Sequence, residues 1–240
     1  MGFAERFRIV SEHEKTEAVA RLVKASTGDF DFYLFAVFGI GMASLGLILD
    51  SPEVVIGGML IAPVLYPLLS LSLSLTLWDL ALMYRSLRTL AISFVVSIVI
   101  AYLVSLCITP FGLELGSQIL ARAHPSALYF VVAFISGFAA TFALVHANLN
   151  EMLPGVAISV ALVPPLAAVG IGLALLNGEV AGSAFLLFVI NVAGIAFASL
   201  IAFSLMSLHG TRRIAESAIR QEERRLEKEQ SKLEKIQHDI

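Results

Sequence analysis

Apolar residues run along this chain in six long blocks, at about 32–49, 54–77, 90–109, 127–145, 155–176 and 184–206, with short polar stretches between them. Crossing the ~30 Å hydrocarbon layer takes roughly 20 residues of α-helix, and every block is near that length. The pattern predicts six membrane-spanning helices. Two blocks carry prolines where a membrane helix has its centre: Pro63 and Pro67 in the second, and the adjacent Pro164 and Pro165 in the fifth. A proline inside a helix removes a backbone donor, clashes with the carbonyl four residues earlier and pushes the preceding residue out of helical angles. Carbonyls around Met59, Pro63, Val160 and Ala161 are therefore expected to lose their usual partners. Lipid tolerates such groups only where they face protein or a water-lined cavity. Either the prolines mark discontinuous second and fifth helices that approach each other near the membrane midplane, or they kink these helices for packing alone.

The flanks have another character. Residues 1–30 are polar and charged, and Ser11 is placed to cap a helix running through Lys24, with acidic residues in its first turn and Gly28 near its end. Ala18, Ala20, Leu22 and Val23 give that helix one modestly apolar side, suited either to the membrane surface or to the rest of the protein. The longer connection at 110–125 carries Leu113, Leu115, Ile119 and Leu120 and reads as a surface-lying piece. From 211 onward Arg and Lys alternate with Glu. Ile219, Leu226, Leu233 and Ile240 recur at seven-residue spacing, with Ala215, Glu222, Glu229 and Ile236 as companions; the two glutamates weaken the seam as a coiled coil. This helix either stays solvated and packs on its own chain, or joins copies into a homo-oligomer. The chain thus divides into an N-terminal cytoplasmic helical segment (1–30), a six-span transmembrane domain (31–207) and a charged C-terminal cytoplasmic helix (208–240).

Composition identifies the solvent. The chain is 58% hydrophobic and 15% charged with a mean hydropathy of +0.87, whereas soluble domains are about a quarter charged. Between 50 and 207 the charged residues are Asp50, Glu53, Asp79, Arg85, Arg88, Glu114, Arg122, Glu151 and Glu179, all lying between apolar blocks. With the N-terminus inside, 15 of the 16 Lys and Arg fall on the inner side and only Arg122 outside, which predicts a cell (inner) membrane protein with both termini cytoplasmic. Trp78 and Tyr84 flank the Arg85 and Arg88 loop, where interfacial aromatics belong. The first 30 residues hold no short apolar core with a small-residue cleavage site, which argues against a cleaved signal peptide. Cys107 stands alone and forms no internal disulfide.

The two halves resemble each other. Phe38, Gly41 and Ala43 match Phe134, Gly137 and Ala139 at an offset of 96; Ser70, Leu71, Ser72, Leu73 and Leu75 face Gly170, Ile171, Gly172, Leu173 and Leu175 at 100, where Asp79 matches Glu179. Three spans followed by three more place the second repeat (about 126–207) upside down relative to the first (about 31–109). Transporters built from such inverted repeats often form their site at the midplane from interrupted helices, one from each half.

Candidate chemistry is sparse. Asn191 lies near the centre of the sixth block, and an amide there needs a partner, either at the helix breaks or in an interhelical packing bond. Ser70, Ser72, Ser74 and Ser159 are able to bond back to their own helices. No block contains an ionisable residue away from its ends, which disfavours a carboxylate proton relay. His146, Asn148, Asn150 and Glu151 cluster in one loop, a solvated loop more readily than a metal site. No nucleophile–base pairing, phosphate loop or metal-ligand spacing is present. No enzyme activity, cofactor, metal or nucleic-acid partner is expected.

The segments GGMLIAPVLYPLL, VAISVALVPPLAAVGIGLA and LLFVINVAGI, in this order and spacing, resemble the prokaryotic uncharacterised hydrophobic domain family, Domain of Unknown Function three-eight-nine, over roughly 32–206. The resemblance implies a multi-pass membrane protein of a kind without an assigned activity, and supplies no substrate. The short N-terminal segment differs from members that look as if they carry a larger soluble domain there. The expected function is a transporter or channel for a small solute or ion, with its pathway at Pro63, Pro67, Ser70, Ser159, Pro164, Pro165 and Asn191. The alternative is a non-transporting membrane scaffold acting through its cytoplasmic helix.

Overall fold

The computed structural model describes residues 11–112, 115–146, 156–206 and 208–238, and every regular element among them is helical. In chain order these are α1 (Glu12–Ala25), α2 (Phe30–Ile48), α3 (Pro52–Ile61), α4 (Leu65–Leu77), α5 (Leu80–Ile108), α6 (Ser117–Leu120), α7 (Ala127–Val145), α8 (Val156–Ala174), α9 (Gly178–Leu205) and α10 (Arg212–His238), with single 3-10 turns between several of them. Four helices, α2, α5, α7 and α9, are each long and apolar enough to cross a membrane, and α3 with α4 forms a fifth such path if the bent pair is taken as one.

Side-chain placement is that of a protein in lipid. Phe35, Phe38, Val95, Val131, Ile135, Leu186 and Phe197 lie exposed on these helices, while Ser44, Ser72, Ser93, Ser97, Ser105, Thr141, Asn191 and Ser199 are buried. Apolar faces of this extent are otherwise sites of association or aggregation. Small hydroxyl residues let helix backbones approach closely, and their protons return to the backbone: Ser93 donates to Thr89 O and Ser105 to Ala101 O, both at 2.7 Å.

The chain reverses three times by one device. Asp50, Trp78 and Leu176 adopt left-handed backbone angles (φ 53°, 53° and 52°), and the next amide reaches back across the helix end, Ser51 to Gly46 O, Asp79 to Ser74 O and Asn177 to Gly172 O. None of the three is glycine, although this conformation costs an L-residue roughly 1–2 kcal/mol. Asp79 and Asn177 then cap α5 and α9 with their side chains. The turns at 78 and 176 lie 98 residues apart, and Asp79 and Asn177 take the same capping position after them, whereas the sequence match pairs Asp79 with Glu179. The starts of α2 and α7 lie 97 residues apart, one more than the sequence match indicated.

α8 is the central helix. Every residue from Leu162 to Gly172 is buried, and α2, α3, α5 and α9 all pack on it. Its crossing with α5 is at backbone distance: a Cβ on Gly170 would lie 2.5 Å from Ala101 Cβ and 2.7 Å from Ile98 O. α2 and α3 form an equally tight hairpin, in which a Cβ on Gly58 would lie 2.5 Å from the Ala43 amide. Gly39 and Ala43 are thereby used in contacts within the chain, whereas Gly41 has open space.

At the membrane edge, α1 begins with the expected cap. Ser11 Oγ accepts from the Glu14 amide and Glu14 accepts from the Ser11 amide, the latter bond holding the Glu14 carboxyl below its ordinary range. Ala18, Val19, Leu22 and Val23 are buried, and α1 packs on α4, α7 and α10, so its apolar side is covered by protein. The opening positions of the heptad seam, Ala215, Ile219 and Glu222, are buried as α10 lies on α1. The side chains of Leu233, Ile236 and Ile240 lie outside the described residues.

Candidate functional site at the helix break

The second apolar block is broken as its prolines require. α3 ends at Ile61, and Ala62, just before Pro63, is extended (φ −75°, ψ 119°), the conformation that a following proline imposes. The chain resumes at Leu65 bent by 52°. The last bond of α3 runs from the Ala62 amide to Gly58 O at 3.3 Å; Pro63 has no proton to give Met59 O. On the other side, Val64 caps α4 with no side-chain bond. Three residues of chain therefore bring a helix C-terminus, with its free carbonyls, close to a helix N-terminus with its free amides. Pro67 has a different role from the expected one. It stands in the first turn of α4, where an amide has no intrahelical acceptor, so it starts the helix without breaking one.

A pocket of about 410 Å³ opens at the break. Ile61, Pro63 and Tyr66 line its inner side, Phe32 and Phe35 come from α2, and Arg21, Lys24, Asp29, Asp31 and Arg225 form the mouth. Arg21 is paired with Glu17, and Arg225 with Glu222 and Glu229. Asp29 caps α2 through the Phe32 amide, and the Lys24 ammonium has no hydrogen bond or ion pair among the described residues. The mouth presents both signs of charge.

The fifth block corrects the expectation. Pro164 and Pro165 lie inside a helix that continues from Val156 to Ala174, so α8 is not discontinuous there. Both prolines are buried, and neighbours on every side leave the chain no room to swing away, whereas half-buried Pro63 faces a pocket. The backbone donors missing at Pro164 and Pro165 still deprive the carbonyls of Val160 and Ala161 of their usual partners.

The remaining candidates are distributed along the core. Ser70 is buried and accepts from Ser86 Oγ at 2.8 Å, which joins α4 to α5. Asn191 is 3% exposed on α9. α9 packs on both α4 and α8; five residues beyond Asn191, Ala196 O accepts from Ser72 Oγ at 3.5 Å. The Ser159 side chain lies outside the described residues, as do Asn148, Asn150 and Glu151. His146 sits against Phe142, its Nδ1 2.9 Å from Phe142 O. Among the described residues no three His, Cys, Asp or Glu side chains converge as metal ligands. Pro63 is brought into a pocket, while Pro164, Pro165 and Asn191 are buried in the packed core. The charged mouth was hidden in the sequence because Arg225 lies far along the chain from Arg21, Lys24, Asp29 and Asp31.

Apolar helices exposed to their surroundings, closing over hydroxyl-bearing seams, make this an all-helical membrane protein. A family model described as a domain of unknown function (DUF389) matches residues 59–197, and the chain belongs to that family. The matched stretch contains the break, α4, α5, α7, α8 and Asn191, so every candidate pathway residue lies within it. An uncharacterized protein of Methanocaldococcus jannaschii, MJ0678, is 28% identical over 204 residues, covering 81% of this chain and 63% of the relative. The chain therefore spans less than two thirds of that relative's length. No solved structure matches the chain.

Proposed function

We propose that this protein moves a small solute or ion across a cell (inner) membrane, as a carrier or channel, along a pathway that begins at the α3–α4 break. The observation that carries this reading is the pocket at Pro63: a helix interrupted within an apolar block, its unpaired backbone groups beside a cavity with a charged mouth. Irregular backbone persists in a membrane where it lines such a cavity.

An arrangement as two inverted three-span repeats supports the same reading. The contact of Ser72 with Ala196 O has a counterpart 98 residues away at each partner, where Gly170 meets Ile98 O. Exchange of partners between halves is what a pseudo-twofold axis in the membrane plane produces. The distribution of Lys and Arg supports an orientation with both termini in the cytoplasm. Single cysteines at Ser51 and Glu179 in a Cys107→Ala background are expected to react with an impermeant thiol reagent in intact cells, and one at Gln221 to stay unreacted; labelling at Gln221 would reverse the orientation.

Flux from liposomes loaded with small anions, monovalent cations or neutral solutes tests the transport reading. Movement of one class, reduced by Pro63→Ala, is the expected result. The continuity of α8 through Pro164 and Pro165 favours the rival reading, a membrane scaffold acting through α10 and its homo-oligomers. If none of the solutes moves, and deletion of 211–240 abolishes the cellular phenotype while Asn191→Ala and Pro63→Ala leave it intact, the scaffold replaces the transporter.

A further inference from the structure

α5 is longer than a membrane is thick. Its 29 residues extend about 43 Å at a rise of 1.5 Å per residue, against ~30 Å of hydrocarbon. Its uncharged apolar stretch begins at Leu90, which leaves the first ten residues, with Arg85 and Arg88, at headgroup depth. Trp78, Leu80, Tyr84 and Leu87 are all exposed around them, at 85%, 72%, 70% and 53%. Exposed aromatics are characteristic of a helix end embedded in the interface.

Arg85 and Arg88 lie less than one turn apart and line a pocket of about 490 Å³ between α5, the start of α2 and α10. Arg85 donates to Thr27 Oγ1 at 2.7 Å, a neutral acceptor that leaves most of its five N–H groups unused. Among the described residues the Arg88 guanidinium has no hydrogen bond, and neither arginine has a carboxylate within ion-pair distance. Tyr33, Thr27 and Thr89 add hydroxyls, Glu223 is the carboxylate among the lining residues, and Ile219 and Leu226 of α10 close one side. Elsewhere at this edge Lys15 is matched with Glu12, Arg21 with Glu17 and Arg225 with two glutamates, while Lys24 stands alone at the mouth of the other pocket. Arg85 feels Glu223 and Glu222 only from beyond ion-pair distance, so two guanidinium groups with one lining carboxylate leave room for a further anion, and planar forks of N–H donors fit phosphate oxygens.

We infer that this pocket binds the phosphate of an anionic phospholipid, held by Arg85 and Arg88, with its acyl chains lying along the exposed apolar face of α5 past Leu87 and Val95. The site fastens α10 to the membrane edge of the bundle and is independent of the pathway at Pro63.

Full-length protein in detergent, examined by native mass spectrometry with phosphatidylglycerol, phosphatidylcholine or inorganic phosphate added, tests the inference. Wild type is expected to retain phosphatidylglycerol in preference to phosphatidylcholine, and millimolar inorganic phosphate to leave that adduct in place. Arg88→Gln, which removes no bond within the protein, is expected to weaken retention about fivefold, and Arg85→Gln with Arg88→Gln to remove the preference. Arg220→Gln, an equal change of charge elsewhere on α10, is expected to behave as wild type. Equal retention of the two lipids, or loss of the preference in Arg220→Gln, would overturn the site. Displacement of lipid by inorganic phosphate would overturn the lipid assignment and give the pocket to free phosphate.

Discussion

The break at Pro63 and the unbroken helix through Pro164 and Pro165 put the same residue type in matching apolar blocks with opposite results. Pro63 terminates α3 because the extended conformation of Ala62 has somewhere to lead: a pocket on one side, and α4 starting in a new direction on the other. Pro164 and Pro165 are confined by α2, α3, α5 and α9, so the helix absorbs two missing bonds and stays in place. A proline raises the cost of continuing a helix by about 3 kcal/mol, and surrounding packing decides whether the chain meets that cost or escapes it.

The largest effect that sharpens this comparison is expected where α8 is tightest. Gly170→Val inserts atoms between α8 and the α5 backbone and is expected to cost about 3 kcal/mol, read as a lowered Tm or failure to accumulate. At the corresponding Ser72, where the α4–α9 contact is an oxygen 3.5 Å from a carbonyl, Ser72→Ala is expected to cost at most about 1 kcal/mol. Equal losses would show that α8 is no more confined than α4.

What the sequence made legible follows from this contrast. The apolar helices, the Ser11 cap and the break at Pro63 are local properties of block length, side-chain chemistry and proline geometry, and all three were readable, although four or five of the six expected spans are helices long and apolar enough to cross a membrane. Continuity at Pro164 was not, because it depends on neighbours as far along the chain as α2. The left-handed turns at Asp50, Trp78 and Leu176 were hidden since no glycine marks them. The seam of α10 was visible, but not that α1 covers its first part. The pocket at the break was half legible: its prolines, but not the distant charges at its mouth.

A smaller effect separates the prolines functionally. In the liposome flux assay, Pro63→Ala restores a donor at the break and is expected to reduce flux roughly tenfold, the equivalent of ~1.4 kcal/mol. Pro67→Ala and Pro164→Ala are expected to change it less than about twofold, since one starts a helix and the other lies within one. A tenfold loss from Pro164→Ala would place α8 in the pathway as well.

The smallest effect concerns the turn that joins α2 to the break. Asp50 accepts from the Gln118 amide at 2.6 Å and from Ser117 Oγ, and these bonds hold its carboxyl below the ordinary carboxylate range. A lowered carboxylate pKa contributes stability above the unfolded value of about 3.9, and that contribution is lost as pH falls through the folded value. Amide exchange at Gln118 is therefore expected to be slow and nearly constant, after correction for intrinsic rates, from pH 7 to about 5, and to accelerate in acid below about 4. Asp50→Asn is expected to exchange faster throughout and to lose the acid step; a step retained in that variant would assign it to another group.

Solvent access at the two proline sites tests the account most directly. Single cysteines at Tyr66, beside the break, and at Val163, next to Pro164, in a Cys107→Ala background are to be titrated with a small water-soluble thiol reagent in membranes. The account predicts modification at Tyr66→Cys and none at Val163→Cys on the same timescale. A reactive Val163→Cys with a protected Tyr66→Cys would contradict it, and would move the water-filled path from the first half of the protein to the second.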